Sequence, residues 1–169
     1  TETGRNTLAT ATRGLLAQLE APIRIEILYQ PQDPPLTNVV AELMTRTQSL
    51  LALLEDESSE RIDVEVADLN DRESWKTRAL ELELQGFANG LLVSSGERRT
   101  FVPLLGRLAQ VNRGDPARGI APSIAAFTAE EAIVEAILDV TRGDRLHAYF
   151  TFGYGEVDVK DSEDLYGAG

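Results

Sequence analysis

The chain has 169 residues, of which 43% are apolar and 26% charged, and its 28 acidic against 16 basic side chains leave a net charge of −12. A length of this order buries about 70% of the surface that the unfolded chain exposes, enough for one domain of ordinary size plus a fragment. The acidic balance argues against nucleic-acid binding, which needs a coherent basic surface, and the lack of cysteine excludes disulfides, thiolate catalysis and Cys-ligated zinc.

The first segment, TLATATRGLLAQLEAP, sets Leu15, Leu16 and Leu19 at helical spacing, with Thr10 as N-cap and Pro22 as terminator. IRIEILY then alternates, placing Ile23, Ile25, Ile27 and Tyr29 on one face of a strand over 23–29, with Leu28 on a partly covered opposite face. Three prolines make QPQDPPL a loop. From Thr37, Val39, Val40, Leu43, Met44, Leu50, Leu51 and Leu54 follow a 3.6-residue period and predict the longest helix, about 37–55. RIDVEVADL repeats the strand pattern with Ile62, Val64 and Val66 inward.

Asn70 followed by Glu73 has the capping-box signature for a helix through Trp75, Ala79 and Leu82 that stops near Gly86. GLLVSSGERRTFVP reads as a hairpin with strands at 90–95 and 98–103. Residues 104–127 carry glycines, prolines and weak periodicity, so the expectation there is irregular chain with one helical turn near Leu104 to Val111. Thr128 with Glu131 forms a second capping box, followed by Ile133, Ala136, Ile137 and Val140 on one face and Gly143 as C-cap. LHAYFTF predicts a last strand, 146–152. A strand–helix–strand crossover makes a parallel pair and the hairpin adds an antiparallel one, so the fold class is α/β, a mixed sheet flanked by helices.

That order, from Ile23 to Arg142, resembles a thioredoxin-type fold. Its redox members carry Cys-x-x-Cys after the first strand and a cis-proline before the hairpin. QPQDPPLT and GFANG stand in those two places, which removes both parts of the chemistry. No catalytic residue, metal ligand or cofactor is assigned. His147 alternates with Tyr149 and Thr151 and reads as a strand histidine without a partner. DLNDRE, 68–73, lacks the Gly and the later Glu of a 12-residue calcium loop and reads as helix capping, while DVKDSED, 158–164, reads as a solvated tail. Ser94, Ser95 and Ser123 have no G-x-S-x-G context, and no P-loop or G-x-G-x-x-G is present. No uncharged apolar run approaches about 20 residues, and the stretch 119–129 contains Pro122, Ser123 and Thr128.

Two stretches remain as candidate sites. Arg98, Arg99, Arg107, Arg113 and Arg118, against Glu97 and Asp115, make 97–118 locally basic within an acidic chain, a place for an anion or an acidic partner surface. Gly153, Tyr154, Gly155 and Glu156 follow the last aromatic strand as a junction motif, too short for a phosphate fingerprint, with glycines that suit a sharp turn at a sheet edge.

Three segments together carry a family resemblance. TETGRNTLATATRGLLAQLEAPIRIEILY is similar to the opening of gliding-motility-type auxiliary components of ABC transporters. There a Thr-x-x-x-Arg-x-(Ser/Thr)-Leu segment leads from a membrane helix through a short helix into a strand. EEAIVEAILDVTRG resembles the family's helix ending in Thr-Arg, and YFTFGYGE resembles its next strand, where Gly-His-Gly-Glu is usual and Tyr154 here replaces the histidine.

The resemblance implies three parts: a lead-in segment and short helix over 1–22, a thioredoxin-like domain without a redox site over 23–143, and the first strand of a truncated second α/β domain over 144–169. It also implies an excised part of a longer, membrane-anchored protein, placed at the extracytoplasmic (periplasmic) face of the inner membrane. The function expected is a non-enzymatic interaction domain with protein partners in a membrane transport complex, and a truncated edge at 146–152 suits a homodimer of the fragment. The alternative is a domain that binds a small anionic ligand through the arginine-rich loop 97–118. An acid/base hydrolase built from Asp and Glu pairs has no sequence feature in its favour.

Overall fold

The computed structural model describes residues 7–67, 72–81 and 89–142. In chain order these form helix α1 (Thr10–Ala17), strand β1 (Ile23–Leu28), helix α2 (Thr37–Glu57), strand β2 (Ile62–Val66), helix α3 (Arg72–Glu81), strands β3 (Gly90–Ser95), β4 (Arg98–Pro103) and β5 (Ala109–Asn112), a 3₁₀ turn (Pro116–Arg118), strand β6 (Ser123–Phe127) and helix α4 (Ala129–Arg142). The principal sheet has the order β2-β1-β3-β4, and β5 with β6 makes a separate two-stranded ribbon. β1 runs parallel to β2 and antiparallel to β3, and β3 is antiparallel to β4. The fold is therefore α/β, a mixed four-stranded sheet with helices on it. No helix among the described residues is long and apolar enough to cross a membrane.

Period-2 alternation assigns the two faces. Ile25 lies beside Val64 on one side and Val93 on the other, and Ile27 beside Val66 and Leu91. Ile23, Ile25, Ile27, Leu91, Val93 and Val102 are buried together with Val40, Leu43, Leu51 and Leu54 of α2 and Ile133, Ile137 and Val140 of α4. Each such aliphatic side chain contributes about 1.5–3 kcal/mol through its removal from water. The opposite face is mixed: Leu28, Leu92 and Ala79 are buried there outside that main cluster, while Arg24, Asp63 and Glu65 reach solvent.

The turns have local causes. Gly96, with φ of 61°, is the only one of the two residues joining β3 to β4 to have positive φ, the pattern of a tight type II′ hairpin. A side chain on Gly90 would collide with the Val102 carbonyl oxygen, so the close approach of β3 to β4 requires glycine there. α2 ends in a turn where Ser59 and Glu60 both have positive φ, 53° and 67°, an arrangement that costs non-glycine residues energy.

Several expectations need correction. Residues 104–127 are not mostly irregular, and no helical turn forms over Leu104 to Val111: a turn leads into β5, and the ribbon β5–β6 closes over a 3₁₀ turn. Thr10 is not the N-cap of α1; Ala9 holds that position, without a side-chain cap. Its N–H donates instead to Glu130 Oε1 at 2.7 Å, from the first turn of α4. Thr128 does not spend its hydroxyl on a capping box but donates it to the Arg107 carbonyl at 2.9 Å. Glu73 lies in the first turn of α3 and pairs with Lys76 at 3.2 Å. Asn70, Gly86, Gly143, His147, the strand expected at 146–152 and the segment 144–169 lie outside the described residues.

Candidate interaction surface

A sheet of four strands has two edges, and here they differ. Ile23 N–H donates to the Arg61 carbonyl at 2.8 Å and Ala67 N–H to the Ile27 carbonyl at 3.0 Å. Alternation in the parallel ladder therefore turns Asp63 and Glu65 toward β1 and leaves the main-chain groups of Ile62, Val64 and Val66 facing outward. Two of those outward N–H groups are taken by side chains from the end of α2. Ile62 N–H donates to Ser58 Oγ at 3.1 Å, and Val64 N–H donates to Glu55 Oε1 at 3.2 Å. The β2 edge is thus capped from within the chain at Ile62 and Val64, while Val66 is exposed at its end.

Among the described residues, the β4 edge has no further strand beside it. The two-residue turn fixes Ser95 and Arg98 as a hydrogen-bonded pair, so Thr100 and Val102 also face β3, while Arg99 and Phe101 turn N–H and C=O outward. Neither has a second strand beside it among the described residues. Pro103 closes this edge at the far end, because it has no N–H and its carbonyl accepts from Leu108 N–H at 3.2 Å. The exposed register is thus short, five residues from Arg98 to Val102.

The five arginines of the basic stretch lie around this edge and the ribbon beyond it. Arg99 pairs with Glu81 at the end of α3 at 3.2 Å, Arg107 with Glu135 on α4 at 3.0 Å, and Arg118 with Asp115 within its own turn at 3.4 Å. Arg98 and Arg113 are exposed. Three of the five cations therefore hold carboxylates already, on three separate elements. The ribbon tip is closed by paired main-chain bonds between Asp115 and Ile120, both 2.9 Å, and leaves Ile120 half exposed to solvent. The Gly153–Glu156 motif lies outside the described residues.

Three arrangements escape a reading of the sequence alone. The buried Asn89 precedes β3, and its carboxamide accepts from Gln30 N–H at 2.7 Å and donates to the Gln30 carbonyl at 2.9 Å. It binds the loop after β1 to the start of β3. Arg24 holds Glu65 by a hydrogen bond and Glu26 at 3.6 Å, with Asp63 nearby. The bond to Glu65 and its charge, then the charges of Glu26 and Asp63, raise the Arg24 pKa above its ordinary value, so the group stays a fixed cation. The capping of β2 by Ser58 and Glu55 is the third. Its only sequence signal is a serine one turn beyond a glutamate at a helix end.

Two open clefts flank α2. One, of about 420 Å³, runs between Val39, Glu42 and Arg46 and strand β6, and one of about 1000 Å³ is bordered by Glu55, Asp56, Glu60 and Asp63. Among the described residues no group of three or more His, Asp or Glu is placed to hold a metal ion. The surface is thus one of main-chain edges and exposed charges.

No curated protein and no solved structure matches the chain. Residues 2–100, more than half of the chain, match the family described as Domain of unknown function (DUF7088), and the chain belongs to that family.

Proposed function

We propose that this chain is a non-enzymatic interaction domain with a thioredoxin-like fold, serving as the extracytoplasmic part of an auxiliary protein of a membrane ABC-transport system. The observation that carries the reading is the stitching of Gln30 to Asn89. A βαβ unit followed by a hairpin and a helix brings the loop after β1 and the residue before β3 together, and a thioredoxin-type enzyme would place its thiols and proline there. Here a carboxamide fastens the two strands to each other, so the same position serves to hold shape.

The likeness of residues 1–29, 130–143 and 149–156 to gliding-motility-type auxiliary components supports the transport setting. The β4 edge, which has no further strand beside it among the described residues, and the exposed Arg98 and Arg113 supply surface for a protein partner. Alkaline phosphatase fused after Arg142 in the full-length protein tests the compartment. The reading expects phosphatase activity in intact cells and, after cross-linking, recovery of an ABC ATPase or permease. Fluorescence from a cytoplasmic reporter at the same position, without phosphatase activity, would sink it.

A further inference from the structure

We infer that Asn89 is a site of spontaneous covalent modification: its carboxamide loses ammonia through a cyclic imide with Gly90, and the hydrogen bonds to Gln30 hold the reaction back until the start of β3 opens. This goes beyond the transport reading and rests on none of it. Of the five asparagines, Asn6, Asn38, Asn70, Asn89 and Asn112, only Asn89 is followed by glycine. Ring closure needs the next residue's main-chain nitrogen to reach Cγ, and glycine puts no side chain in the way. Packing fixes both members of the pair. A side chain on Gly90 would collide with the Val102 carbonyl oxygen. The position before it holds a short carboxamide that accepts from Gln30 N–H at 2.7 Å and donates to the Gln30 carbonyl at 2.9 Å. The fold thus calls for a thermolabile dipeptide.

In the reaction the Gly90 nitrogen attacks Asn89 Cγ. The new N–C bond forms as the Cγ–Nδ2 bond breaks, the Gly90 N–H proton departs and ammonia leaves. Water, the sole co-reactant, then opens the ring at either carbonyl. The product is an aspartyl residue or an isoaspartyl linkage, in which the main chain runs through the side-chain methylene. The folded chain opposes the attack at both atoms. Leu104 N–H donates to the Asn89 carbonyl at 2.8 Å, so alternation turns the odd residues of β3 toward β4 and the even ones toward β1. Gly90 N–H therefore donates to the carbonyl of Leu28, its register partner, and its nitrogen is engaged. The buried carboxamide is held at both ends by Gln30. Attack needs these bonds broken together, so the rate follows local opening of the loop after β1 and the start of β3.

The product cannot restore what it replaces. An ionised carboxylate only accepts, so the donation to the Gln30 carbonyl is lost and a charge is left in a buried place. An isoaspartyl linkage also lengthens the main chain by one carbon ahead of Leu91 and Val93, buried residues whose inward placement depends on register. Each opening that ends in reaction therefore leaves the molecule easier to open, and the change runs one way.

Incubating the 169-residue chain at mildly alkaline pH, with and without urea, tests this. Tryptic cleavage after Arg78 and Arg98 gives the peptide 79–98, in which Asn89 is the sole asparagine. Fragmentation mass spectrometry should find the amide-to-acid conversion at Asn89 in urea, and at least about tenfold more slowly without it, because only the opened fraction reacts. Labelling by an isoaspartate methyltransferase should follow the same rates. Gln30→Pro removes the N–H that Asn89 accepts and should speed the reaction in a chain that keeps the parent's circular dichroism. Asn89→Asp, the aspartyl product made directly, should melt below the parent. Absence of conversion at Asn89 in urea would overturn the inference, as would equal rates with and without urea. A folded Gln30→Pro chain reacting at the parent's rate, or an Asn89→Asp chain melting with the parent, would do the same.

Discussion

Asn89 uses both ends of its carboxamide on the main chain of Gln30, 59 residues away, and is itself buried. Truncation leaves a main-chain N–H and C=O of Gln30 without these partners, a loss of about 1–3 kcal/mol for the two hydrogen bonds. Asn89→Ala should therefore lower the melting temperature by about 2–4 °C for each kcal/mol lost, measured by calorimetry. Glu60 gives the opposite sign. Its φ of 67° is a left-handed conformation that glycine adopts freely, so Glu60→Gly should stabilise the chain by about 0.5–1 kcal/mol, read as a higher urea midpoint. Neither effect is legible in the sequence. GFANG shows that proline is missing before the hairpin, but a side chain reaching the main chain of a distant loop leaves no period to read, and SSE at the end of α2 contains no glycine to announce a left-handed turn.

At the scale of elements, the sequence is legible wherever one face is buried throughout a segment. The hairpin strands at 90–95 and 98–103 have the bounds that alternation and Ser-Ser-Gly-Glu predict, and α2 runs only two residues past its expected end at 55. The ribbon β5–β6 was hidden because its register shifts between Gln110 and Val111, which breaks the alternation, and because β5 has four residues. The basic stretch was visible as composition, but composition does not say that Arg99, Arg107 and Arg118 have acidic neighbours on three elements. The capping of β2 gives an element-scale prediction. Glu55→Ala with Ser58→Ala frees two N–H groups of β2 and should cost about 1–3 kcal/mol for the two hydrogen bonds. Static light scattering should then rise with concentration more steeply than for the parent chain, as the freed N–H groups of β2 can pair with another chain.

For the whole molecule, charge and sheet work against each other. A net charge of −12 on one chain repels itself, and exposed ion pairs such as Arg107–Glu135 offset little of that, about 0.2–1 kcal/mol each. Screening should therefore stabilise: raising sodium chloride from low salt to about 0.5 M should raise the melting temperature by about 2–4 °C, and a fall would show that the ion pairs outweigh the repulsion. The α/β class and the strand directions were legible because a βαβ crossover and a short hairpin each permit one arrangement. Packing carries the core past the residues of the family match. The family match stops at 100, midway along β4, whereas Leu104, Leu108, Ile133 and Ile137 from beyond that point fill the same interior as Ile25 and Val93. A gene fragment trimmed to the match would leave an oily sheet face naked to water, and its product should collect in inclusion bodies, whereas one extended through Arg142 keeps its lid.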